Sequence, residues 1–153
     1  MQLLHFTLLP LLFTSAVSAV GSAIILNNSS STIYAWSVGA AISQRQAIVS
    51  GGLYLEPLRK DPSSGGIALK ITRGPNGLYN GEPQQVFSYN LADGQVWYDL
   101  SSVFGAPFKG SRIEVTSTTG GDITWPAGTH PGGSQLRHAP DEENVWFTVY
   151  GTK

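Results

Sequence analysis

The 153-residue chain contains no cysteine, one methionine and three histidines, and only 12% of its residues are charged. Without cysteine there is no disulfide framework, no thiolate metal site and no thiol nucleophile, so a fold must be held by packing alone. The nine Lys and Arg and ten Asp and Glu all follow residue 19 and are scattered singly or in short groups. That dispersion offers no basic stripe to nucleic acid or to an anionic membrane. No heptads, no repeat of 20 to 50 residues and no internal linker are present, which excludes coiled coils, solenoids and a two-domain division.

What the chain does have begins with an apolar N-terminal run. Met1 to Ala19 closes on the small residues Val17-Ser18-Ala19, the pattern accepted by a signal peptidase. Diluted by Thr7, Pro10, Thr14, Ser15 and Ser18, it is too broken for a spanning helix, which needs about 20 predominantly apolar residues. We therefore expect a signal peptide over 1–19 and a domain over 20–153, that is 153 − 19 = 134 residues. Residues 150 to 153 carry no hydrophobic tail, so no membrane partner is expected after processing. A domain of this size buries roughly two-thirds of its unfolded surface, enough for one core without staples.

Eighteen glycines and nine prolines punctuate the chain too often for long helices. Thr32–Val38 and Ile67–Thr72 alternate with period two and predict strands, as do Arg112–Thr116, Asp122–Trp125, Val145–Tyr150 and the opening Ile24–Leu26. Val86–Leu91 and Val96–Leu100 flank Asp93-Gly94, a pair that supplies the positive φ angles of a tight hairpin turn. About eight strands in all predict an all-β fold, a two-sheet antiparallel sandwich. Its long loops, residues 73–84, 101–110 and 126–143, are where a binding surface is expected.

Candidate sites are sparse. Hydrolysis of a glycosidic bond needs two carboxyls about 5 to 10 Å apart. Asp99 is the weak catalytic candidate, with Glu114, Glu56 or Glu82 as its possible second carboxylate, whereas Asp93 reads as a turn residue. His130, His138, Asp141, Glu142 and Glu143 share a Pro- and Gly-rich loop without the spacing of a metal site, so neither metal nor cofactor is expected. Gly132-Gly133-Ser134 is a turn, since nothing after it builds the helix of a nucleophile elbow. Aromatics make the better binding case: Trp36, Trp97 and Tyr79 fall where alternation or a loop places rings away from a core, and such rings stack on sugars. Asn27-Asn28-Ser29 and Asn28-Ser29-Ser30 are overlapping glycosylation acceptors, of which at most one is expected to carry a glycan.

Five segments in order, Val20–Asn28, Tyr34–Val38, Pro62–Ile71, Val96–Ser101 and Pro131–Gln135, together resemble the fungal yeast-phase-specific family, also called antigenic thaumatin-like proteins. The resemblance implies secretion and a thaumatin-like β sandwich, and brings no settled enzymatic activity with it. A more distant likeness joins Trp97–Gly105 to the segment that carries two acidic-cleft aspartates in plant thaumatin-like proteins. Asp99 matches the first, Phe104 stands in place of the second, and Gln84, Gln85 and Val86 lie where a glutamate would precede. The family comparison also places cysteines near Ser29, Gly120 or Gly121, and Ala139, and this chain has none of them. The expected function is that of a secreted, non-enzymatic, antigenic or effector-like protein, with a cell-wall polysaccharide or a host protein as partner. The alternative is a weak β-glucan hydrolase using Asp99.

Overall fold

The computed structural model describes residues 19–151, so the expected leader lies outside it except for Ala19. Eleven strands run through the described residues: β1 (Ser22–Asn28), β2 (Ile33–Val38), β3 (Gln46–Ile48), β4 (Leu53–Pro57), β5 (Ile67–Thr72), β6 (Gln84–Ala92), β7 (Gln95–Val103), β8 (Ile113–Thr116), β9 (Ile123–Trp125), β10 (Arg137–Pro140) and β11 (Val145–Tyr150). They form two sheets, one in the order β4-β1-β11-β8-β9 and the other β10-β7-β6-β5-β2-β3. All pairings are antiparallel except β1 with β11, which is parallel and joins the first and last strands of the domain.

The eight strands read from the sequence are all present, and the three added ones, β3, β4 and β10, are all sheet edges. An edge strand is fixed by one neighbour instead of two and has no need of a long alternating pattern, so its sequence carries a weaker signal. The hairpin was the clearest local signal. Asp93 (φ 53°) and Gly94 (φ 72°) both occupy the left-handed region, as the two-residue turn requires, and Ala92 pairs with Gln95 immediately outside it.

Alternation sends Ala23, Ile25, Ile67, Leu69, Ile71, Phe87, Val115 and Phe147 into the space between the sheets. Phe147 stands at its centre, its ring 6.3 Å from both Phe87 and Phe108. Phe108 comes from the loop after β7 and closes one end of the sandwich. Truncating such a ring to alanine costs about 3–5 kcal/mol, comparable to much of a small domain's net stability. Trp125 is fully buried and its indole N–H donates to Gln135 Oε1 at 2.8 Å, which anchors the long loop between β9 and β10 to the core.

Candidate functional site

The six-stranded sheet turns its outer face to solvent, and register decides what meets there. Val38, Ala68, Ser88 and Asp99 lie side by side across β2, β5, β6 and β7, while Asn90, Trp97 and His138 line up across β6, β7 and β10. These side chains face outward because their neighbours, Tyr89, Tyr98 and Leu100, are buried. Val38, Ala68, Ser88, Asn90, Trp97 and Asp99, together with the Ser64–Gly66 turn and Leu136, line an open cleft of about 540 Å³, and His138 stands outside it behind Trp97. Ser88 Oγ donates to Asp99 Oδ1 and orients that carboxylate in the floor. Trp97 packs on the His138 ring at 4.6 Å, and His138 Nδ1 lies 3.2 Å from Gln95 Oε1.

One wall of the cleft is set by a carboxylate that does not enter it. Buried Asp61 accepts the backbone N–H of Ala40 at 2.7 Å, and those of Ser63 at 3.0 Å and Ser64 at 2.8 Å, fixing the turn before β5. These bonds, led by the one from Ala40, hold its carboxyl well below the usual carboxylate range. Asp61 is therefore a scaffold for the Ser64–Gly66 wall.

The structure does not bring Glu114, Glu56 or Glu82 to Asp99, and this corrects the carboxylate pairing considered above. Glu114 projects from the outer face of the other sheet, bonded to Arg112 and to the Tyr150 hydroxyl, so two sheets about 10 Å apart separate it from the cleft. Glu56 points between the sheets, where its carboxylate accepts the hydroxyls of Tyr54 at 2.8 Å and Tyr89 at 2.7 Å. Burial, and next the bond to Glu56, pushes both phenols above their ordinary range. Glu82 is tied down in the loop before β6 by the Gly74 N–H and the Asn80 amide. Among the cleft-lining residues Asp99 is the single carboxylate.

The aromatic candidates part company. Trp97 is half-buried in the cleft. Trp36 sits on the same face, as alternation required, yet is only 3% exposed. Tyr79, from the loop between β5 and β6, meets it edge-on at 6.4 Å and stays 71% exposed itself. Trp36 thus backs Tyr79, and of this pair it is Tyr79 that presents its ring to solvent. Asn27 is also corrected: it is fully buried, and its amide nitrogen donates to Ser31 O and Ile48 O, both at 2.8 Å, which leaves no room for a glycan. Asn28, the next residue, is exposed at the end of β1. His130 packs against Trp125 and His138 against Trp97, so the two loop histidines do not converge. Among the described residues no three His, Cys, Asp or Glu side chains gather in a way that holds a metal ion.

Ser88, Asn90 and Leu136 were not singled out from the sequence. The signal for the first two was available: a two-residue turn at 93–94 pairs 92 with 95 and, counting outward, 88 with 99 and 90 with 97. Leu136 had none, because it reaches the cleft through the β9–β10 loop.

The all-β sandwich fits a thaumatin-like fold, the class named by relatives of the chain and by a solved structure it is similar to. More narrowly, the chain belongs to the Blastomyces yeast-phase-specific protein family, whose model matches residues 10–151. It is 26% identical over 97 residues to an antigenic thaumatin-like protein of Arthroderma benhamiae, covering 63% of this chain and 48% of the relative. It is likewise 26% identical over 102 residues to the secreted thaumatin-like protein calA of Emericella nidulans, covering 65% and 57%. The match thus spans about half the length of these relatives, and the secreted name of the second supports an extracellular location for this chain. The fold is similar to the protein elicitor MoHrip2 from Magnaporthe oryzae, with a TM-score of 0.70, 22% identity, and coverage of 84% of this chain and 98% of that one. It is also similar to the thaumatin-like xylanase inhibitor TLXI, with a TM-score of 0.57, 9% identity and coverage of 83% and 97%.

Proposed function

We propose that this chain, freed of its leader by cleavage after Ala19, acts outside the cell as a non-enzymatic protein that binds a cell-wall glycan in the cleft of the six-stranded sheet. The observation that carries the reading is the composition of that cleft. Trp97 offers an apolar ring face, and Asp99, Ser88 and Asn90 beside it offer acceptors and donors to hydroxyl groups. Hydrolysis requires a second carboxyl about 5 to 10 Å from the first, and the cleft provides only Asp99. That inventory supports a reading of binding without turnover.

Retention of the secreted protein on insoluble β-glucan and on chitin tests this, with Trp97→Ala and Asp99→Asn in parallel. The expected result is retention by the wild type, loss in both variants and no release of reducing sugar. Equal retention of Trp97→Ala, or sugar release that disappears in Asp99→Asn, overturns it. The antigenic name of one relative and the elicitor title of a structural neighbour support an antigenic or effector-like role facing a host. Exposed Asn28 is the proposed glycan carrier.

A further inference from the structure

The cleft of the six-stranded sheet carries one negative charge and nothing to balance it. Asp99 lines it, and none of the other lining residues is Lys, Arg or His. Ser88 Oγ donates to Asp99 Oδ1, whereas no hydrogen bond or ion pair from the described residues reaches Oδ2. Lys70 shares the outer face, but it stands two strands away on β5, in the next row with Trp36 and Val86, and no ion pair joins it to Asp99. Strand spacing puts about 12 Å between the two Cα positions, beyond the screening length of about 8 Å at physiological salt. The carboxylate is therefore open to a cation from outside.

Its neighbours fit that cation. Ser88 faces Asp99 and Asn90 faces Trp97 across β6 and β7, so the four form a two-by-two block, with about 5 Å across the strands and about 7 Å along them. Asn90 Oδ1 is a second, neutral acceptor in the cleft lining. His138 covers the β10 side of the Trp97 ring, and the cleft lies on the β6 side. An ammonium placed between Asp99 and that ring face meets an anion, a neutral acceptor and a π face, the last within the reach of about 6 Å of a cation–π contact. A neutral hydroxyl in the same place has the hydrogen bonds alone.

Given the glycan cleft proposed above, on which the preference rests, we infer that this site selects a protonated amino sugar, the β-linked glucosamine of deacetylated chitin, over a neutral glucan or an N-acetylated chain. The sugar stacks its C–H face on Trp97 and directs its 2-ammonium toward Asp99 Oδ2, close enough to the indole for the ring's negative face to add to the attraction. A lysine-bearing peptide offers the same charge. An extended peptide, however, draws affinity from main-chain pairing, and β5, β6 and β7 under the cleft are each paired on both sides. With no free backbone edge in the floor, recognition falls to side chains and favours a sugar ring.

Calorimetric titration of the secreted protein with glucosamine, N-acetylglucosamine and β-glucan oligomers of equal length tests this, in mildly acidic buffer where the amine is protonated. The wild type should bind the glucosamine oligomer about tenfold more tightly than the other two, the worth of a charge-assisted hydrogen bond over a neutral one. Added salt should shrink that ratio. Asp99→Asn should bring it near one, and Trp97→Leu, which keeps an apolar contact and loses the π face, should reduce it. Equal binding of the three oligomers, or a ratio that survives in Asp99→Asn, overturns the inference and leaves the glycan reading standing. An oligolysine peptide bound as tightly as the glucosamine oligomer overturns it in favour of a peptide. Binding of none of the three oligomers overturns the glycan reading as well.

Discussion

A Cβ atom built on Gly120 would stand 2.7 Å from the Cβ of Ala139. These are two of the positions at which the family resemblance places cysteine, so the turn after β8 and the edge strand β10 touch where a cross-link would bridge them. Here the space is filled by the direct approach of Gly120 to the His138 carbonyl and the Ala139 methyl.

Building that cross-link is the first test. A disulfide spans a Cβ–Cβ distance of about 3.8 Å, so Gly120→Cys with Ala139→Cys must open this contact by about 1 Å, and must also move the new Cβ clear of the His138 carbonyl oxygen and Ser117 Oγ, which it would meet at 2.3 and 2.6 Å. The bridge closes a loop whose unfolded-state entropy is worth about 3 kcal/mol, and the opening subtracts strain from that. We expect the doubly substituted protein to lose two hydrogens by mass spectrometry on oxidation. Failure to lose them contradicts the proximity; with the bridge formed, the oxidised form should melt above its reduced form, and an equal or lower Tm shows that strain outweighs the entropic gain.

Asp61 makes the fold sensitive to acid. Its folded-state pKa lies below its unfolded value, so its contribution is complete above about pH 4, the unfolded value, and is lost as pH falls toward the folded one. In Asp61→Asn the amide turns a donor toward the Ala40 N–H, and the Ser64–Gly66 wall loosens. The variant should melt lower than wild type at pH 7, with the gap narrowing toward pH 2. A constant gap in a Tm series from pH 7 to pH 2 counts against this account.

Glu56 links the two sheets through Tyr89. Replacing it with leucine leaves the buried Tyr89 hydroxyl without its charged acceptor, at a cost of about 1.5–3 kcal/mol. Tyr89→Phe alone removes the same bond from the other side, and a double-mutant cycle measured by urea denaturation should give a clear coupling between them. Independent effects that simply add exclude the bond as a tie. Because the folded-state phenol titrates above the unfolded one, stability from Tyr89 should be present below about pH 10 and lost as pH rises beyond it.

Asn27 and Asn28 should respond in opposite ways. Asn27→Ala strands the Ser31 and Ile48 carbonyls and costs about 2 kcal/mol or more, visible as a lower Tm. Asn28→Gln should leave Tm nearly unchanged and remove the glycan from the secreted protein's intact mass. If Asn28→Gln leaves that mass heterogeneous, the glycan is elsewhere.

The sequence by itself determined the strands that lie inside the sheets, the Asp93-Gly94 hairpin and, through it, the meeting of Ser88 with Asp99. Period-two alternation and a two-residue turn are local, and local patterns need no knowledge of distant neighbours. Lack of cysteine likewise fixed the source of stability as packing. Only the tertiary structure decided which outward residues remain outward: a loop brings Tyr79 over Trp36, and the β1–β2 turn together with Ile48 of β3 closes around the Asn27 amide. It also decided which carboxylates share a face, because Glu56, Glu82, Glu114 and Asp99 are assigned to interior, loop or opposite faces by the pairing of strands far apart in the chain, such as the parallel β1 and β11. Alternation specifies that a side chain leaves its strand on one face or the other. What waits on that face is set by long-range pairing and loop placement, which no single stretch of residues encodes.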